Sequence, residues 1–359
     1  MALTQAVIDN VANAAIDYHM DRGTTYAQHI QEKPLLNELK QRERTFPGGK
    51  GEITCRPIFE TQSSIEGFGG DDTLSFTNPT PIKEAAYPWK MIHLGITMTT
   101  DELLRDGISV VDTNGRNTRQ HSERELTMLA NILQTKLDDM TEGYSAGMNE
   151  MLWGDGTQDS KEVPGIQFMI ADDPTTGVVG GIDRAEQPLW RNRAFTEAHE
   201  SATADASDGP IAADPDNSTL IKRLRQERRQ LHRYGNPRHI VLCGSAALER
   251  LEAEVDAKGL YSQSGFSGSQ EVGMGEISLS GLGRFRYDPT LDSLGREDYM
   301  YFIDTNGIQL MPIEGENMKR HFPARPHDKM VLYRSITWAG GLVGKQYNTS
   351  MVVQTEDAA

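Results

Sequence analysis

The sequence predicts an α+β fold in which strands and helices occupy separate stretches of the chain. Three observations carry that reading. A pair of strand runs flanks a long polar tip, one apolar stripe is far longer than an ordinary helix needs, and short strands close the chain.

Val7, Val11, Ala14 and Tyr18 fall at spacings of four, three and four, which predicts a short amphipathic helix from Thr4. The stretch from Asp21 to Arg44 is polar and charged, with an expected break at Pro34. Residues 1–47 therefore read as an arm that lacks a core of its own and packs on something else.

Gly48-Gly49-Lys50-Gly51 ends the arm. Ile53, Cys55, Pro57 and Phe59 then alternate with polar neighbours, the pattern of a strand with one solvated face, and Pro57 marks it as an edge. Residues 60–82 are rich in Ser, Thr, Gly, Asp and Pro and read as a loop tip. A second run from Ala85 to Met98 alternates through Tyr87, Trp89 and Met91, then through Ile92, Leu94, Ile96 and Met98. The slip at 91–92 predicts a bulge or a change of face. Two such strands make a long hairpin that reaches some tens of ångströms, at roughly 3.3 Å per residue. A hairpin of that kind is marginal alone and needs a partner.

Asp101-Glu-Leu-Leu after Thr99 and Thr100 predicts a helix start, followed by Asp/Asn/Gly turns. Between Gln120 and Leu152, the residues Leu126, Leu129, Leu133, Leu137, Met140, Tyr144, Met148 and Met151 form one apolar stripe. A helix of roughly thirty residues spans about 45 Å. The texture beyond Gly154-Asp-Gly156 is mixed. Residues 197–217 are Ala-rich, hold six Asp or Glu and no Lys or Arg, and read as a solvated loop. A helix is predicted over 218–234, opened by Asn217 or Ser218, with Leu220, Leu224, Leu231 and Tyr234 on one side. His239–Cys243 reads as a buried strand, Ser245 as the cap of a helix through Asp256, and 259–275 as a Gly/Ser-rich loop. Strands at Tyr299–Ile303, Ile308–Pro312, Met330–Trp338 and Gly344–Val353 close the chain, and no internal repeat is present.

A chain of 359 residues is long enough for one large domain or two to three smaller ones. Its formal net charge of −16 argues against a protein that grips nucleic acid over much of its surface. Cys55 and Cys243 are its two cysteines, which points to a reducing compartment. Neither a secretory leader nor a membrane span is predicted.

No catalytic, cofactor-binding or metal-ligating constellation emerges, and the chain is not expected to be an enzyme. Gly143-Tyr144-Ser145-Ala146-Gly147 matches the G-x-S-x-G pattern of a hydrolase nucleophile. That motif needs a strand ending in a strained turn, whereas here it sits inside the predicted helix, where the two glycines are expected to permit a bend or a close neighbour. Asp138, Asp139 and Glu142 are mid-helix acids without a His or a phosphate loop. Gly67-Phe-Gly-Gly70 lacks dinucleotide spacing. Asn217-Ser-Thr219 and Asn348-Thr-Ser350 fit a glycosylation pattern that has no meaning without secretion. Lys222, Arg223, Arg225, Arg228, Arg229 and Arg233 crowd one helix. Given the net charge, they read as a solvated face that pairs with acidic residues, such as the 197–217 loop of a neighbouring copy, rather than as a phosphate track.

The order of arm, hairpin, long helix, mixed region and closing strands resembles the major capsid subunit of tailed bacteriophages, with the Hong Kong-type fold. Two stretches carry the resemblance in sequence. Lys83-Glu-Ala-Ala-Tyr-Pro-Trp-Lys-Met-Ile-His-Leu-Gly-Ile-Thr-Met-Thr-Thr-Asp-Glu-Leu-Leu looks like the descending strand of the family's extended loop. Gly177-Val-Val-Gly-Gly-Ile-Asp-Arg-Ala-Glu-Gln-Pro-Leu-Trp-Arg-Asn looks like a segment common among phage capsid subunits, with Leu189 at a frequently aromatic position. The resemblance implies an N-terminal arm at 1–48 and an extended loop at 49–98. It implies a peripheral domain at 99–164 and 312–359 with a spine helix at 119–152, and an axial domain at 165–311. It further implies hexamers and pentamers in an icosahedral virion shell around double-stranded DNA, touched without sequence specificity, assembled in the host cytoplasm with no membrane. Portal and scaffolding proteins are expected partners, and a decorating protein is a further one. A bacterial nanocompartment shell is the alternative within the fold, and a serine hydrolase using Ser145 the alternative outside it.

Overall fold

A computed structural model describes residues 31–60, 65, 67–70, 82–99, 101, 105, 123–257, 276–279, 283–321 and 331–357. The expected helix at 4–20, most of the 60–82 tip, the turns at 106–118 and the loop at 259–275 lie outside them, as do the side chains of Leu126, Leu129 and Leu133.

In chain order the labelled elements are α1 (Pro34–Gln41), β1 (Glu52–Cys55), β2 (Ala85–Pro88), β3 (Lys90–Thr99), α2 (Glu123–Trp153), β4 (Val178–Val179), β5 (Ile182–Asp183), β6 (Arg193–Phe195), β7 (Ile211–Ala213), α3 (Thr219–Leu231), β8 (His239–Cys243), α4 (Ser245–Ala257), β9 (Glu276–Leu279), β10 (Gly283–Tyr287), β11 (Tyr299–Asp304), β12 (Ile308–Pro312), β13 (Lys319–His321), β14 (Val331–Gly344) and β15 (Met351–Asp357). The described chain divides into two compact units. One takes in Met91–Met148 and Gly315–Ala339, the other Glu32–Lys90, Asn149–Glu314 and Gly340–Ala359.

In the first unit β13 pairs antiparallel with β14, Lys319 opposite Thr337, and β3 also pairs β14. The inward face of β3 brings Leu94 and Ile96 against Leu137 and Met140 of α2 and Ile336 of β14. The stripe on α2 is buried at Leu137, Met140, Tyr144 and Met148, as the 3.6-residue period requires.

The second unit is built on a seven-stranded sheet of order β6-β15-β11-β8-β10-β9, with β7 parallel to the end of β15. α3 and α4 cover one face: Leu220, Leu224, Leu231, Leu248 and Leu251 pack on Val241, Cys243, Phe302 and Val353. Alternation along β11 turns Tyr301 to the other face, where its ring meets Trp153 at 5.1 Å. There the Trp153 indole donates to Asp288 (2.9 Å), a carboxylate that burial holds above its ordinary range. Asn149 is buried beside it, accepting from the Leu36 amide (3.2 Å) and donating to the Thr290 hydroxyl (2.7 Å).

Several expectations are corrected. Pro34 starts a helix rather than breaking the chain, because an imino nitrogen is harmless in the first turn. Leu35, Leu36 and Leu39 of that helix are buried, and Arg44 and Phe46 donate backbone amides to β12, so this part of the arm packs on its own chain. The Ala85–Met98 run is two strands with different partners, split at Trp89 rather than at 91–92. The stripe of α2 ends on Leu152, with Met151 only half-buried. The acidic stretch contains a helical turn at Glu197–Thr203 and strand β7, whose Ile211 and Ala213 are buried. Tyr234 lies in a short 3₁₀ turn and is exposed rather than packed with Leu231. Strand β14 runs on to Gly344, and β15 starts at Met351.

Candidate assembly surface

The hairpin is anchored at its base and bare further out. β1 and β2 pair antiparallel, Ile53 opposite Tyr87 and Cys55 opposite Ala85, and Ile53, Ala85 and Tyr87 are buried. The Tyr87 hydroxyl donates to the Gly344 carbonyl (2.7 Å) and lies 2.8 Å from the Tyr347 hydroxyl. Burial drives both phenols well above their ordinary titration range, so they remain neutral hydrogen-bonding groups.

Beneath them, Phe59, Trp190 and Tyr347 stack edge to face at 5.5 and 4.7 Å. The Trp190 indole donates to the Val179 carbonyl (3.0 Å). Arg184 is buried with its guanidinium 5.6 Å above the Tyr347 ring, and desolvation lowers its pKa. The Gly177–Arg184 segment is a tight β4–β5 turn in which Gly180 holds φ +62° directly against the Tyr87 ring. The Gly180 carbonyl accepts the Ala86 amide at 3.0 Å, which ties this turn to the hairpin.

Phe59 is the last strand residue seen packed against the rings, and the side chains pointing the other way are bare. Ile58 and Ile82 form a bridged pair, yet they remain 63% and 57% exposed, and Ile65 and Phe68 are exposed as well. Ile58 also lines a groove of about 360 Å³ with Leu189, Tyr234 and Phe59, and Leu189 and Tyr234 are themselves exposed. Bare apolar side chains grouped in this way make a candidate contact surface.

No protein-family model matches the chain, and no curated protein matches it in sequence. Solved structures match it in shape. It is similar over 93% of its length to the capsid asymmetric unit of cyanophage A-1(L), with 95% of that chain covered, TM-score 0.61 and 13% identity. The capsid of Myoviridae phage XM1 matches over 93% of this chain and 95% of its own, at TM-score 0.54 and 9% identity. The capsid of the native GTA particle matches over 94% of each chain, at TM-score 0.51 and 12% identity. The fold is that of the tailed-phage capsid subunit.

Within this capsid fold, the motifs weighed in the sequence fall apart as chemical sites. Ser145 is in mid-helix on α2, its hydroxyl donating to the Glu142 carbonyl (3.0 Å), and no strand or turn precedes it. Gly143 and Gly147 are exposed and face open space among the described residues, so no close neighbour explains them. Asp139 is exposed and Glu142 half-buried on the same helix, while the side chain of Asp138 lies outside the described residues. Among the described residues, no cluster of His, Cys, Asp and Glu has the makings of a metal site, and no helix is long and apolar enough to cross a membrane. Gly67–Gly70 is exposed in the hairpin. Asn217 donates to Asp214 (2.6 Å), and Asn348 accepts from Gln346 (2.8 Å).

Sequence reasoning did not find Tyr87, Tyr347, Trp190 or Asn149 as anchors. Their partners stand up to 260 residues away, as for Tyr87 and Tyr347, beyond the reach of any local pattern.

Proposed function

We propose that this chain is the shell-building major capsid subunit of a tailed phage, self-assembling into hexamers and pentamers that enclose double-stranded DNA. One observation carries the reading: the hairpin holds a bridged Ile58–Ile82 pair that is 63% and 57% exposed and that the described residues do not cover. An apolar surface of that kind is stable in water when a neighbour buries it, and a many-copy lattice supplies one neighbour for every hairpin. The capsid fold supports this, since the three matching chains are described as capsids.

In this reading 49–98 is the extended loop, 99–164 with 312–359 the peripheral domain and 165–311 the axial domain. Residues 1–48 are the arm. The subunit has no catalytic role, and it works with a portal and a separate scaffolding protein, with a decorating protein as a further partner. Assembly takes place in the host cytoplasm and the product is the virion shell. An acidic subunit suits that task, because a basic lining would bind DNA and hinder its packing and ejection.

The test is electron microscopy and light scattering of the purified protein, with nucleic-acid and protein analysis of any particle contents. Rings or closed shells are expected, with DNA inside particles made during infection. A sharp 39.9 kDa monomer at every concentration and salt would refute the proposal. Shells filled with cargo protein instead of DNA would replace it with a nanocompartment.

A further inference from the structure

The helical layer over the seven-stranded sheet sorts its charges into two stripes. On α3 the exposed residues Lys222, Arg225 and Arg229 sit at spacings of three and four, opposite the buried Leu220, Leu224 and Leu231. On α4 the residues Glu249, Glu252 and Asp256 have the same spacings and face away from the buried Leu251 and Val255. Each stripe spans eight residues, about 10 Å of axis. The two match in length and pitch and are opposite in sign.

The fold uses the other charges of these helices for itself. Glu227 pairs with Arg193 (2.5 Å) and Arg223 (3.7 Å). Arg250 pairs with Asp298 (2.6 Å) and Asp357 (2.8 Å). The buried Glu254 reaches across to the start of α3 and accepts the Leu220 and Ile221 amides at 2.9 and 3.0 Å, which caps that helix. The six outward groups form no salt bridge among the described residues. Glu252 is instead crowded by its own kind: burial first, then Asp256 and Glu249, raise its carboxyl above the ordinary value.

We infer that this layer is a docking surface for a second copy of the same chain, the Lys222–Arg225–Arg229 stripe of one subunit lying along the Glu249–Glu252–Asp256 stripe of the other. The inference rests on the shell reading, which supplies the second copy. Charge complementarity selects that occupant. A polyanion drawn to α3 would meet the acidic stripe of α4, which packs beside α3 in the same core, and the chain as a whole carries −16. A second copy brings both signs in the matching pitch. Exposed pairs of this sort set partner choice and register, and they weaken as salt screens them.

Two full-length charge-reversed chains test it: Lys222→Glu/Arg225→Glu/Arg229→Glu and Glu249→Lys/Glu252→Lys/Asp256→Lys. The altered side chains point outward, and circular dichroism should match the unaltered protein. Each variant alone should lose at least tenfold in assembled particles by light scattering and electron microscopy. Mixing the two, or combining all six changes in one chain, should restore assembly, because every stripe then meets its opposite again. If either reversal proves unstable, Arg225→Gln and Glu249→Gln should still flatten the salt dependence of assembly. Unimpaired assembly of both reversed chains would overturn the inference and leave the shell reading standing. Normal shells that fail to retain DNA in the α3 variant would overturn it in favour of a polyanion. An unaltered protein that never leaves the monomer would instead sink the shell reading itself.

Discussion

The two halves of the hairpin consist of the same two stretches of chain, and they are treated in opposite ways. At the base, Ile53 is 6% exposed and Tyr87 3% exposed, the two paired across the strands and Tyr87 held by its hydrogen bonds and the Gly180 turn. A few residues further out, Ile58 and Ile82 face each other across the same hairpin at 63% and 57% exposure. Both pairs are apolar, so the chemistry of the side chains does not separate them. What separates them is whether this chain supplies the covering surface. The base belongs to the stability of this chain, and in the proposed shell the distal pair belongs to whatever the chain joins.

That contrast breaks most sharply at Trp190. Trp190→Ala removes the ring between Phe59 and Tyr347 and should destabilise the subunit by about 3–5 kcal/mol, read as a lower thermal midpoint. Gly180→Ala should be next, at about 1–3 kcal/mol, since it strains a left-handed residue and pushes a methyl to 2.9 Å from the Tyr87 ring. Tyr87→Phe keeps the ring and deletes the hydroxyl that holds Gly344 and Tyr347. Chemical denaturation should show a loss of about 1–2 kcal/mol.

The mildest probe is thiol labelling. Burial pushes the Cys55 thiol up, and Cys55 is half-exposed with its Sγ near the Gly344 carbonyl, so it should label slowly in the folded protein. Cys243 is fully buried, its thiol held above the usual range, and should label only on unfolding. Tyr87→Phe should speed the Cys55 reaction and leave Cys243 unchanged. Equal rates for the two thiols in the unaltered protein would mean that the base is not the locked structure described.

Where a feature repeats along the chain, it was legible in the sequence. The period of two through Ile92, Leu94, Ile96 and Met98 and the helical stripe through Leu137–Met148 both hold in space. Strand β8 was visible as a short apolar run, and the elbow-like motif at Ser145 was correctly placed on a helix. Features that depend on distant partners were not legible. Strand β7 is three residues in an acidic stretch and exists because β15 offers an edge to it. Helix α3 was expected to be capped by Asn217 or Ser218, but Ser218 makes no side-chain cap bond and Glu254 of α4 does the capping. The anchors of the hairpin escaped notice for the same reason, since Tyr87 and Trp190 read locally as ordinary aromatics until the fold brings Gly180 and Tyr347 against them.

The central claim is that the distal hairpin is built for a neighbour and contributes little to its own subunit. It is tested most directly by Ile58→Ser/Ile82→Ser, followed in parallel by thermal melting and by electron microscopy. Both side chains are largely exposed, so the melting transition should stay within about 0.5 kcal/mol of the unaltered protein. The same preparation should fail to close shells. Normal shells from this variant, or a chain that melts as early as Trp190→Ala, would contradict the account.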